Sequence, residues 1–283
     1  MQPVVYVLSD MEGSFGITSM AQCVPGSRLW QKAREHATLD ALAAARGALS
    51  AGAERVIIHD THAWGVNLLA HLVSHPIELK TGHYSYPVPI LGDIPENSLM
   101  LAVAAHVGAG REGHLPHTFR TRFAKVEIDG RPVGEAELYA ALVAKKGVRL
   151  GLVTGDVSAV DEAVEALPWV KRVNVPRRGN DEDAKAVRSN IAEAAAEAFS
   201  RFDEMKVHQF DKTITMSCTF KERGEARRHK VGSWQIDGET LTLSGAYQEV
   251  FKSFLDMAYL GHFSFLGPPI IAALRLISRW RFS

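Results

Sequence analysis

Two carboxylates at positions i and i+2, Asp10 and Glu12, stand near the N-terminus in the segment SDMEGSFGI at 9–17. On extended backbone such a pair points to one side, so both could address one cation. Two histidines each follow an apolar run, His62 after RVIIHDT and His106 after LMLAVAA, and Glu135 opens the run EAELYAAL. Two imidazoles and three carboxylates form the mixed nitrogen and oxygen set that zinc accepts. One catalytic zinc usually takes about three protein ligands and keeps a position open. Five donors suit two ions that share a carboxylate, and hydrolytic sites hold such ions about 3.5–4 Å apart. Taken singly, each residue has a plainer explanation. The D-x-E pair could be a turn or a helix cap, His62 a loop histidine held by Asp60, and His106 a half-buried imidazole. Glu135 could be a first-turn acid favoured by the helix dipole. What joins them is where they fall along the chain.

Residues 4–8, 55–59 and 149–154 are short apolar, β-rich runs that end in polar residues, as buried strands of an α/β sheet do. Residues 99–105 are equally apolar, and their composition suits a helix as well. Open α/β sheets bind ligands beyond the carboxyl ends of their strands. Asp10, Glu12, His62 and His106 would then converge on one crevice, with Glu135 reaching it from the first turn of a helix. Helices are predicted over 30–51 (closed by Gly52), 134–146, 160–167, 181–202 and 247–260. Residues 123–128 alternate before the hairpin signal Asp129-Gly130, and 213–221 and 233–244 read as strands. Asp156, following Gly155, reads as a turn residue. The expected fold is α/β: a central, mostly parallel sheet flanked by helices. Residues 1–203 would form the metal-binding domain and 204–283 a smaller α+β domain ending in a helix or tail, with the boundary near 202–206.

Lys plus Arg equals Asp plus Glu at 32 each, so charge gives no reason to expect nucleic acid or an anionic membrane as partner. Cys23 and Cys218 form no CxxC pair and read as reduced thiols of a cytoplasmic protein. The N-terminal run lacks the basic start of a signal peptide. The apolar stretch 263–277 is broken by Gly267, Pro268 and Pro269, whereas a span needs about 20 uninterrupted residues.

The chain resembles the DppA-type D-aminopeptidases, zinc peptidases of the M55 class. The resemblance is carried by SDMEGSFGI at 9–17, HDTHAWGVNLL at 59–69, AAHVGAGREGHLPHTF at 104–119 and IDGRPVGEAELYA at 128–140, with GLVTGDVSAVDEA at 151–163 as a weaker fifth block. They follow the family's order and approximate spacing. The resemblance implies two zinc ions per subunit. Asp10 would bridge them, Glu12 and His62 would complete one ion's ligands, and His106 and Glu135 the other's. His117, in LPHTF, matches the catalytic histidine, placed beside the metals without being a permanent ligand. The implied activity is release of amino acids from short peptides with a free N-terminus, D-amino-acid peptides among them. The implied assembly is a closed homo-oligomeric ring whose active sites face an inner chamber.

Around that set, Asp60 is expected to fix the His62 tautomer, and Arg177 and Arg178 to grip a substrate carboxylate. The two arginines lie in a segment, 173–189, that departs from the family's usual run around a lysine and hydroxylic residues. Leu39 and Leu42 stand where the family tends to have acidic and amide residues. The tail 262–283, with Arg275, Arg279, Trp280 and Arg281, extends past the resemblance and is expected to pack as a terminal helix. Two other readings use the same residues: a two-metal amidase or esterase acting on another small molecule, and a non-catalytic, metal-stabilised peptide-binding protein. A binding module has no need of a proton shuttle, so His117 argues against the second.

Overall fold

The computed structural model describes residues 2–259; the expectations for the tail 262–283 and for the last residue of the helix 247–260 lie outside them. In chain order the first elements are β1 (Val5–Ser9), α1 (Arg28–Ser50), β2 (Val56–Asp60), β3 (Ile77–Lys80), β4 (Leu99–Ala105), β5 (Phe123–Ile128), β6 (Arg131–Pro132) and α2 (Glu135–Leu142). There follow β7 (Arg149–Gly155), α3 (Val157–Ala166), β8 (Lys171–Asn174), α4 (Asp181–Ser200), β9 (Ile214–Phe220), α5 (Glu225–His229), β10 (Gln235–Asp237), β11 (Thr240–Gly245) and α6 (Tyr247–Ala258).

Six strands pair in parallel in the order β3-β2-β1-β4-β7-β8. The run 99–105, which suits helix or strand by composition, is the strand between β1 and β7. Side chains alternate across the sheet. Val5 and Val7 of β1 pack with Val56, Ile58, Leu101 and the alanines of α1, covered by α1 and α4. Tyr6 and Leu8 face the opposite layer with Met100, Ala102 and Val153. That layer holds residues of α2, α3 and α6 and of the antiparallel sheet β10-β11-β9-β5-β6. The antiparallel sheet draws strands from both sides of residue 203, because β5 pairs with β9.

The predicted elements shift locally for identifiable reasons. The helix 160–167 begins earlier, at Val157, because the Asp156 carboxylate accepts a hydrogen bond from Ser158 N–H and caps it. The helix predicted over 134–146 ends at Leu142, and 144–146 form a 3-10 turn closed by Gly147. Residues 233–244 are two strands, not one, because the chain reverses at Gly238.

The chain runs from β1 outward through β2 and β3, then crosses back to β4 on the other side of β1. The order therefore switches between β1 and β4, where open α/β sheets form a ligand crevice at the carboxyl ends. Asp10 follows β1, and His106 follows β4, on the two sides of that point.

Candidate metal centre

The loop after β1 is laced to the end of β4. Asp10 N–H donates to the Val103 carbonyl at 2.9 Å, and Gly13 N–H to that of Ala104 at 2.9 Å. The approach is so close that a Cβ on Gly13 would fall 2.1 Å from the Ala105 carbonyl oxygen, and a Cβ on Gly155 would meet the same oxygen at 2.1 Å. Two glycines thus clamp the peptide that leads into His106. Gly13→Ala is expected to cost about 3 kcal/mol by overpacking and to weaken metal binding by parting Asp10 and Glu12 from His106. Urea denaturation and metal titration check both; wild-type values would show that the clamp does not set the site.

Asp10 lies between the two histidines. Its Oδ1 is 3.0 Å from His62 Nδ1, and its Oδ2 is 3.3 Å from His106 Nε2. Glu12 Oε2 is also 3.0 Å from His62 Nδ1, and Glu135 Oε1 is 3.3 Å from His106 Nε2. The structure therefore brings together all five residues singled out by type and spacing. Candidate ligand atoms of Asp10, Glu12 and His106 lie within 4.8 Å of one another, as do those of His106, His117 and Glu135. His117 stacks on His106 with ring centroids 3.8 Å apart and planes 2° apart, and its Nε2 is 3.7 Å from Glu12 Oε1.

Each imidazole is oriented by a main-chain carbonyl. His62 Nε2–H donates to Cys23 O at 2.8 Å, His106 Nδ1–H to Val107 O at 3.1 Å, and His117 Nδ1–H to Leu115 O at 2.7 Å. A carbonyl can only accept, so these contacts fix the tautomers and aim the other ring nitrogen at the carboxylates. This corrects the expectation for Asp60. Its carboxylate accepts from Leu68 N–H, Asn67 N–H and the Asn67 side-chain amide, which in turn donates to the His62 carbonyl. Asp60 shapes the loop; the Cys23 carbonyl sets the ring.

The backbone here is held in an unfavourable region. Ala63, Ala104, Leu115 and Phe119 have φ of 50°, 64°, 50° and 57°. Each lies within two residues of a site histidine, and non-glycine residues so placed cost on the order of 1 kcal/mol or more. Phe119 illustrates the compensation: its N–H donates to Glu135 Oε1 at 2.7 Å.

Charge explains why the cluster calls for cations. Burial pushes Asp10 up, and Glu12 beside it adds to the rise, to about 7 despite His62 and His106. Burial would also raise Glu12, but His62, His106 and His117 hold it well below the usual carboxylate range. Burial would lower His106, yet Glu135, Asp10 and Glu12 lift it to about 10, and Glu12 and Asp10 lift His62 well above its ordinary value. His117 moves the other way, lowered by burial and by His106. His62 Nδ1 and His106 Nε2, aimed at carboxylates, must carry either a proton or a metal ion. Glu12 Oε2 is buried and has only His62 Nδ1 near it, a nitrogen that Asp10 Oδ1 also approaches, so a cation between them would be favoured. This donor set fits divalent cations that accept nitrogen and oxygen.

The residues open onto a cleft of about 450 Å³ that Met20, Cys23, Val24, Ala63, Arg120 and Tyr259 help to line. Arg177 and Arg178 do not line it. Arg177 lies beside His114 in a neighbouring cavity of about 520 Å³, at the ends of β7 and β8. Both arginines are exposed and stand outside the lining of the metal cleft. Cys23 and Cys218 are free and buried. The backbone groups of Cys23, Leu115 and Phe119 escape sequence reading, since no side-chain type announces them.

Parallel-sheet architecture, a strand-end crevice and a buried carboxylate–imidazole cluster define a metallohydrolase-like site on an α/β scaffold. The M55 peptidase family, described as D-aminopeptidase, matches residues 4–255, and the chain belongs to that family. It is 25% identical over 259 residues to a D-aminopeptidase of Bacillus subtilis (strain 168), covering 86% of this chain and 94% of that protein. Its fold is similar to that of the Zn-dependent D-aminopeptidase DppA from Bacillus subtilis, described as a self-compartmentalizing protease. There the TM-score is 0.82 at 22% identity, over 91% of this chain and 98% of the other. Among the described residues no helix is long and apolar enough to cross a membrane.

Proposed function

We propose that this chain is a dinuclear zinc aminopeptidase that releases the N-terminal residue of short peptides, D-configured residues among them. The observation that supports this most is Asp10 standing between His62 and His106, one carboxylate oxygen toward each, with His117 stacked over His106. Asp10 would serve both ions, Glu12 and His62 one of them, and His106 and Glu135 the other. When bound, the zinc ions supply the Lewis acidity that polarises a scissile carbonyl and acidifies water.

The protein's own groups do the rest. His117, its Nδ1–H held by the Leu115 carbonyl, keeps Nε2 unprotonated and turned toward Glu12. From there it can take a proton from water and return it to the leaving amine. Phe119, Val24 and Met20 supply apolar wall to the cleft beside these groups. By similarity to a relative described as self-compartmentalizing, the protein would assemble as a homo-oligomer, a ring as the sequence resemblance implies, and light scattering tests that assembly.

The deciding experiment is amino-acid release from matched L- and D-dipeptides by zinc-loaded protein, with metal content determined in parallel. Release from D-substrates, lost on chelation and regained with zinc, with two equivalents of zinc per chain, is the expected result. Cleavage of L-substrates alone would reject the stereochemistry. No turnover of either with metal bound would leave the amidase or esterase reading.

A further inference from the structure

We propose that Arg120 selects substrates by binding their C-terminal carboxylate, an inference that rests on the aminopeptidase reading above. The cleft has two chemically distinct parts. One end holds Asp10, Glu12 and Glu135 with their histidines, and Arg120 is the sole Lys or Arg among the described residues that line it. Its guanidinium carbon lies 5.2 Å from the centroid of Tyr259, another lining residue. An aromatic face of this kind steadies a guanidinium without neutralising it. Some other cations are matched to acids, as Arg55 is to Glu78 and Arg188 to Asp40. Arg120 makes no ion pair among the described residues.

The placement of Arg120 is built in. His117 precedes it by three residues, Phe119 adopts φ 57° and gives its N–H to Glu135, and Arg120 N–H closes a tight turn onto the Thr118 carbonyl at 2.6 Å. One short loop therefore carries the proton-moving histidine, braces Glu135 and presents the cation. A short peptide is a zwitterion. The scissile bond would lie at the proposed metal ligands, and the carboxylate requires a donor beyond it. A guanidinium offers that donor as a planar fork. Since each extended residue spans about 3.3–3.6 Å, a fixed cation also favours peptides of one or a few lengths. This chain would read the free carboxylate of di- and tripeptides, and blocked or long peptides would lose the contact.

The test compares alanyl-alanine, in the configuration that the enzyme prefers, with its C-terminal amide, using zinc-loaded full-length protein. Wild type is expected to favour the acid. Arg120→Met should collapse the acid-over-amide ratio of kcat/KM by tenfold or more through KM, and Arg120→Lys should restore only part of it. Equal loss of kcat on acid and amide would assign Arg120 to the reacting carbonyl and overturn the proposal, as would an unchanged ratio. Calorimetric binding of the same two peptides reads the contact without turnover. If wild type cleaves neither peptide, the aminopeptidase reading fails; if it also binds acid and amide alike, the carboxylate site fails separately.

Discussion

His117→Ala lowers kcat by about 10²–10⁴-fold, the range that a positioned proton-transfer group contributes, and leaves bound zinc in place. The reason is geometric. His117 touches the centre by stacking on His106 and by its 3.7 Å approach to Glu12, and the five proposed ligands remain when it is removed. The pH dependence follows from its surroundings. Burial first, and then the charge of His106, push His117 below the ordinary imidazole value of 6.5. A base works in its neutral form, which dominates above its pKa. The acid limb of kcat/KM should therefore fall below pH 6.5, with activity lost as pH drops through it, and the limb should vanish from the residual activity of the variant. A wild-type rate in His117→Ala would remove the histidine from the mechanism.

Asp10→Ala is expected to remove activity to background and zinc affinity with it. A four-ligand zinc site is worth about 10–16 kcal/mol, so one ligand is worth about 3 kcal/mol, or roughly 10²-fold in affinity. Asp10 would be lost to both ions at once. The same change should remove one pH-dependent contribution to the stability of the metal-free protein. Asp10 is pushed from 3.8 to about 7, first by burial and then by Glu12. A raised carboxylate favours the folded state while it is protonated, fully so below its unfolded pKa, and that contribution is lost as pH rises through its folded pKa. This one contribution should fade between about pH 4 and 7 in the metal-free wild type, and it should be missing from Asp10→Ala, so that the difference profile between the two isolates it. Metal titration and thermal melts across that interval check both halves; undiminished zinc binding would remove Asp10 from the bridging position.

Much of this centre was legible because its side chains sit where buried strands stop. The runs before Asp10, His62 and His106 announce β1, β2 and β4 by apolarity alone. The edge strands β3 and β8 do not, because Glu78, Lys80, Lys171 and Arg172 give them the charged, short character that protects sheet edges from mispairing. The pairing of β5 with β9 was equally hidden, since alternation shows that a strand has two faces but not which distant strand it joins. Within the site, sequence points to the candidate donors but not to what aims them. Asp60 looked like the partner of His62 from two residues away, whereas the Cys23 carbonyl holds the ring from a different loop. Arg177 looked like the carboxylate receptor because paired arginines stand out in a sequence. Arg120 drew no notice, since its position depends on a turn made by Phe119 in a conformation that its residue type does not favour.

The pairing of β5 with β9 also bears on how the protein is made. When the ribosome has released residues up to Glu135, every proposed metal donor is outside the tunnel, but β5 must wait about another 80–90 residues at roughly 5–20 residues per second for its antiparallel partner. In that interval of seconds the strands that complete the supporting layer have yet to be synthesised. The order of the chain thus places completion of that supporting layer well after synthesis of every proposed donor.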